Sequence, residues 1–412
     1  MGEIPGQTPP AEPSNPGGGA PSPGQQQRYE PFAGQPFSQQ PPMPPGQPFG
    51  PTTQQPTGHW TQGPQYAGPP AAAHPPATSP EAQDRLPVHL IWEGILLVLV
   101  VILVVAGLAT ASGAHLSEII GPVGYIGFVA AGLALSLRTA SPNLAVGSIA
   151  TVAGVIGAHL ATADGWSLWP AMILAVVVSG VIGLIAGVVA AALSVPAWAV
   201  TLGVAVLADS VALGIAGNTG IVLHNGSYPT ALWVVMFVLV SVGGSALWLV
   251  PGVRARLSAG RDAAEPARWT GLPAGIGAVV GLTGSSLLAG IGGASMATYA
   301  QDADPAVGGL NLTLLALAAV LLGGVSVFGR RGGLAGTALG VLIVSAVQFL
   351  LAAHNIFADW QFVPIGVLVL LGLGVSRGVE SITDSLNQTH ALNAAPPAGL
   401  APPSFAPPGS AP

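Results

Sequence analysis

The sequence predicts an all-α polytopic membrane protein of about ten transmembrane helices, flanked by disordered Pro-rich N- and C-terminal tails. Three observations predict it. Of the 412 residues 50% are hydrophobic and only 6% charged, far below the roughly one quarter charged in soluble domains. Apolar runs of roughly twenty residues, enough to cross a hydrocarbon layer about 30 Å thick, recur from His89 onward. The arginines fall between alternate runs, as expected of membrane helices whose basic loops stay on the cytoplasmic side.

Residues 1–85 are dominated by Pro, Gly and Gln. Such a segment buries too little apolar surface to fold and favours solvated, polyproline-like chain. It also lacks the apolar region of a cleavable signal peptide, which predicts a cytoplasmic tail. Residues 86–378 form the membrane domain. Its spans are predicted at 88–111, 118–137, 144–162, 168–193, 196–217, 229–250, 273–299, 309–328, 333–353 and 361–376. If the first span runs outward, Arg85, Arg138, Arg254, Arg256, Arg261, Arg268, Arg330, Arg331 and Arg377 all face the cytoplasm, and Asp164, Asp302, Asp304 and Asp359 face outside. Both termini are then cytoplasmic. Residues 379–412 end in repeated Pro and Ala and read as a second disordered tail.

The stretch Leu321–Ser345 reads as a helix hairpin closed by a Gly- and Arg-rich turn at Arg330 and Arg331. After the turn, Gly332, Gly336 and Gly340 recur every four residues on one helix face. Small residues at that spacing let a neighbouring backbone approach where lipid offers no hydrophobic driving force.

Composition excludes several activities. All ten basic residues are arginine, so no phosphate-loop or Schiff-base lysine exists and the chain cannot hydrolyse ATP in that way alone. There is no cysteine for disulfides, thiolate metal sites or nucleophilic catalysis. With a net charge of −6 and no basic patch, nucleic acid is not an expected partner.

Three ordered stretches resemble one family. Gly323, Gly324, Ser326, Phe328, Gly329, Arg331, Gly332, Gly336, Thr337 and Gly340 are similar to the C-terminal signature of ribose-type ABC importer permeases, relatives of the branched-chain amino-acid permeases. Ser141–Leu160 and Val195–Ile221 resemble two further signatures of that family, and with its flanks the resemblance covers roughly Leu86 to Arg377. It implies a permease subunit that is not itself an enzyme and needs no cofactor. The implied partners are ABC ATPase subunits, an extracytoplasmic solute-binding protein and a second permease subunit, in the lipid of a bacterial inner membrane. The implied cargo is a monosaccharide or similar small polar solute. The cytoplasmic segment Val253–Leu272 resembles the family's ATPase-coupling loop, with Gly260, Arg261, Ala263, Ala264, Glu265, Arg268 and Gly271 as the coupling residues, while Pro266 departs from the family pattern.

Candidate residues for a translocation pathway are Asn143, Ser148, Asp209 and Asn218. Asp209 lies near the middle of the fifth span, where an ionised carboxylate costs roughly 3 kcal/mol on insertion scales. Its two readings are a contact with solute or proton, and a carboxyl group bonded to Ser210 or to neighbouring helices and kept neutral by desolvation. Permeases of this type commonly have Arg-Gly where this chain has Asp209 and Ser210, and Asp where it has Asn143. Pro142 and Asn143 together open a helix start. Ser148, Thr151 and Thr219 either line a wet path or bond back to their own helix. Glu93 and Glu118 sit at span ends within reach of interfacial water. His115, His159, His224 and His354 fall on the outer face without ligand spacing, so no metal site is expected. Gly374, Ser376 and Gly378 spell a serine-hydrolase pattern, but no strand precedes them. Two other functional readings stay open: a secondary transporter coupled to protons or ions, and a degenerate permease retained as a membrane scaffold.

Overall fold

The computed structural model describes residues 86–110, 116–217, 219–224, 230–248, 250, 252–253, 272–327, 334–356 and 362–394. Ten helices run in chain order through these residues. They are α1 (Leu86–Thr110), α2 (Leu116–Arg138), α3 (Val146–Thr162), α4 (Leu168–Leu193), α5 (Ala197–Ala216), α6 (Thr230–Trp248), α7 (Leu272–Ala300), α8 (Gly309–Leu322), α9 (Leu334–Ala353) and α10 (Phe362–Ala394). A two-residue antiparallel ladder joins β1 (Ile221–Val222) to β2 (Asp302–Ala303), tying the chain beyond α5 to the chain beyond α7.

Six of these helices contain segments long and apolar enough to cross a membrane: Ile91–Thr110, Leu116–Arg138, Leu168–Leu193, Ala197–Ala216, Gly275–Ala300 and Gly336–Ala353. The apolar parts of the other four are shorter: Val146–Thr162, Thr230–Gly244, Gly309–Leu322 and Val363–Gly378. For α3 and α8 the shortening has a local cause, described below.

Small residues fill much of the buried interior, and many large aliphatics face outward. Ala130, Ala131, Ala134, Ala150, Ala289, Ala316 and Ala319 are fully buried, while Ile173, Ile185, Val206, Leu207, Leu239 and Leu370 are exposed. A water-soluble bundle would not leave so many large aliphatics exposed. Lipid removes that driving force, and close packing of small residues holds the helices instead. The hub is α7, which packs on α2, α3 and α4. A Cβ at Gly132 of α2 would lie 2.6 Å from the carbonyl oxygen of Ser285, and one at Gly187 of α4 would lie 2.7 Å from Val279 Cα. Around this hub, α8 and α9 pair with each other and with α2, α10 covers α8, α1 lies on α9, and α5 rests on α3 and α4. Trp92 pins α1 by donating from its indole N–H to the carbonyl of Leu322 at 3.0 Å.

Helix ends explain where the predicted spans miss. The eighth span was expected to reach residue 328, but α8 stops at Leu322. Gly324 turns left-handed (φ +77°), its N–H reaches Leu321 O (3.0 Å), and Val325 N reaches Val320 O (3.2 Å). These two bonds satisfy carbonyls at the helix end and close it. The same pattern ends α2 at Ala140 (φ 56°), with Ala140 N bonded to Leu137 O and Ser141 N to Ser136 O. An alanine in that conformation costs about 1 kcal/mol, which shows that the stop after Arg138 is imposed by its surroundings. At the other extreme, α10 overruns its predicted end near residue 376 by continuing to Ala394, into the expected C-terminal tail. No proline interrupts it until Pro396 and Pro397, and Ser381, Ile382 and Ser385 on the extension are exposed. The expected N-terminal tail, 1–85, and residues 395–412 lie outside the described residues.

Candidate functional site: a junction of two late-starting helices

Between α2 and α3 the chain is not helical. Ser141, Pro142 and Asn143 belong to no helix or strand, and α3 begins only at Val146. An interrupted helix in an apolar layer must have its free backbone groups satisfied by other protein groups. The N–H of Leu144 goes to Thr201 Oγ1 of α5 (3.1 Å), that of Ala145 to the Asn143 side-chain oxygen (3.0 Å), and that of Gly147 to Thr313 Oγ1 of α8 (3.0 Å). Asn143 is 1% exposed. Its amide nitrogen donates to Ser285 Oγ at 3.1 Å and Ser286 Oγ at 3.3 Å on α7, while its own backbone N–H reaches Ser136 Oγ at 3.0 Å. The side chain is therefore spent on fastening the start of α3 to the hub helix.

The start of α8 is the counterpart. Thr151 of α3 accepts from the N–H of Gly309 at 2.7 Å and donates to Gly147 O at 2.9 Å. Each helix thus lends a threonine to the other's first turn. Leu144 and Ser148 meet Thr201 and Asp209 of α5 in rising order, so α3 runs parallel to α5. Gly147 and Thr151 meet Thr313 and Gly309 in falling order, so α8 runs antiparallel. Glycine is required where they touch. A Cβ at Gly308 would strike Thr151 Oγ1, and Gly309 holds φ +61°, a conformation that only glycine adopts without strain.

Beside both starts stands Asp209, the thirteenth residue of α5, about 18 Å along a helix about 30 Å long. Ser148 Oγ donates to Asp209 Oδ2 at 3.0 Å. The position of a Cβ on Gly309 is 3.2 Å from Asp209 Oδ1, so the carboxylate lies against the glycine backbone. Ser210, the neighbour in sequence, does not bond Asp209; its hydroxyl returns to Val206 O at 2.7 Å. Two of the four pathway candidates, Ser148 and Asp209, are thus in contact. Asn143 sits in the buried connection before α3, and Asn218 lies outside the described residues.

The coupling residues Gly260, Arg261, Ala263, Ala264, Glu265, Arg268 and Gly271 also lie outside the described residues, as does Gly332. A Cβ on Gly336 would run into the carbonyl oxygen of Gly323, and one on Gly340 into that of Ala319, so α9 meets α8 backbone to backbone there. Sequence reasoning missed Thr201, Thr313 and Gly309. The Gly308–Gly309 pair at the head of a predicted span was the one usable signal. Among the described residues no three His, Cys, Asp or Glu side chains come close enough to hold a metal ion.

Residues 115–373, well over half of the chain, match the model of the family described as the permease component of the branched-chain amino acid transport system. The chain belongs to this family. It is therefore a multi-pass permease component of the ABC sugar-permease type and not an enzyme, ATP hydrolysis residing in a separate subunit. Importers of this family work with an ABC ATPase and a solute-binding protein. A probable ABC transporter permease of Sinorhizobium fredii is 28% identical over 260 residues, 61% of this chain and 77% of the relative. The fructose import permease of Rhizobium meliloti is 26% identical over 316 residues, 70% of this permease and 85% of the relative. The ribose import permease of Escherichia coli K12 is 25% identical over 264 residues, 60% and 81% of the two chains. No solved structure matches this permease.

Proposed function

We propose that this permease is the membrane-spanning subunit of a binding-protein-dependent importer in a bacterial cytoplasmic membrane, and that it conducts a monosaccharide or similar small polar solute. The observation that carries this reading is the family match over residues 115–373. Relatives named as fructose, ribose and autoinducer 2 import permeases support a small polar cargo. In this reading all ten helices span, both termini are cytoplasmic, and the junction of α3, α5 and α8 forms part of the path. Ser148 and Asp209 line it, and Asn143 holds the wall; Asn218 is a further candidate for the path by sequence alone. Two permease subunits assemble around that path. On α5 the positions of Gly203 and Gly214 have nothing within 4 Å of a Cβ, which fits close approach by a second copy.

ATP hydrolysis in partner subunits would move the bundle through the segment 253–272, switching it between inward-open and outward-open states. That segment is polar and collects Arg254, Arg256, Arg261, Glu265 and Arg268, as a surface docking on a soluble partner requires. Copurification in mild detergent tests it. An ATPase subunit is expected to follow the wild-type chain, and Arg268→Glu should release it. Truncating or reversing a central interface contact costs about 2 kcal/mol or more, on the order of thirtyfold in affinity. Undiminished recovery of the ATPase with Arg268→Glu and with Glu265→Lys would remove this segment from the coupling role.

A further inference from the structure

The junction holds a carboxylate that the fold does not use up. Four backbone N–H groups of the two helix starts, those of Leu144, Ala145, Gly147 and Gly309, are taken by Thr201, Asn143, Thr313 and Thr151, and none by Asp209. Ser148 occupies one carboxylate oxygen. The other has no hydrogen bond among the described residues, although Asp209 is only half-buried. No cation answers it either: the chain has no lysine, and among the described residues no arginine or histidine pairs with Asp209. A purely structural acid would be expected to cap a helix start or bridge to a base, because an unanswered charge in a low-dielectric layer is costly. At the neighbouring helix starts these four N–H groups are served by neutral side chains rather than by Asp209.

We infer that Asp209, with Ser148 orienting it, narrows the small polar cargo proposed above to molecules of monosaccharide size that carry a protonated amine, and disfavours anionic ones. This rests on reading the α3–α5–α8 junction as part of the path. A half-buried carboxylate with a free oxygen gives an ammonium group a charge-assisted hydrogen bond, stronger than any a neutral hydroxyl makes there. It repels an anion at the same place.

The absence of cysteine from the chain makes a direct test possible. Leu213 lies one turn beyond Asp209 on the same face of α5 and is 42% exposed. With Leu213→Cys in the full-length protein in nanodiscs, the labelling rates of a cationic and an anionic methanethiosulfonate reagent are compared, each normalised to its rate with a free thiol in solution. The cationic reagent is expected to react roughly tenfold or more faster, and Asp209→Asn should bring the ratio to about one while Asp209→Glu preserves it. The ratio in the Asp209 background is informative even if the Asn variant does not fold. Equal rates for both reagents would leave the wet path standing and overturn the charge preference. A ratio unmoved by Asp209→Asn would likewise take selection away from this residue. Failure of both reagents to react would remove the path, and the inference with it.

Discussion

Gly340→Leu is expected to abolish the monodisperse, folded protein, while Gly94→Leu leaves it unchanged. Both glycines lie within apolar helices, so hydrophobicity and helix propensity change equally. Their surroundings do not. A Cβ at Gly340 would run into the carbonyl oxygen of Ala319, backbone that cannot rotate away, whereas nothing lies within 4 Å of a Cβ at Gly94. Overpacking a well-filled interior costs roughly 1–3 kcal/mol, and a clash with backbone belongs at or above the top of that range. The α8–α9 contact would have to open, uncovering the start of α8 that borders the candidate path. Size-exclusion profiles and thermal unfolding of the two variants in detergent check this. Equal profiles would show that α9 does not depend on this approach to α8.

Asn143→Ala is expected to lower thermal stability strongly, and Asn143→Asp to recover most of the loss. Alanine leaves the Ala145 N–H without its acceptor and strips Ser285 and Ser286 of their partner, in a place closed to water. A buried polar group left unsatisfied costs about 1–3 kcal/mol, so about 2 kcal/mol or more is expected from this cluster. Aspartate restores the acceptor for Ala145, and both serine hydroxyls can turn to donate to it. Thermal midpoints of the purified variants measure the difference. A tolerated alanine would mean that the non-helical start of α3 is held by Thr201 and Thr313 without Asn143.

The ten apolar runs read from the sequence correspond to ten helices among the described residues, six of them long and apolar enough to cross a membrane, because sustained hydropathy is a local property. Boundaries were less legible. Leu144 was expected to begin a helix that starts at Val146, and α8 ends six residues short of the expected 328, because caps depend on backbone turns at Ala140 and Gly324 rather than on hydropathy. The polar extension of α10 to Ala394 escaped notice for the opposite reason: it is helical without being apolar. At the junction, Ser148 and Asp209 each stood out as polar residues in apolar runs. Their pairing did not, since they are 61 residues apart and Ser210 was the nearer partner in sequence. Thr201 and Thr313 were invisible because a threonine in a membrane helix commonly bonds its own carbonyls, and only the arrangement of three helices shows that these two also serve the start of α3.

The most direct test of the central claim is solute uptake into vesicles that hold this chain with its copurified ATPase, using the solute carried by the copurified binding protein. Uptake is expected to require ATP and an intact ATPase and to survive a protonophore. Uptake by this chain alone, driven by an ion gradient and abolished by the protonophore, would contradict it.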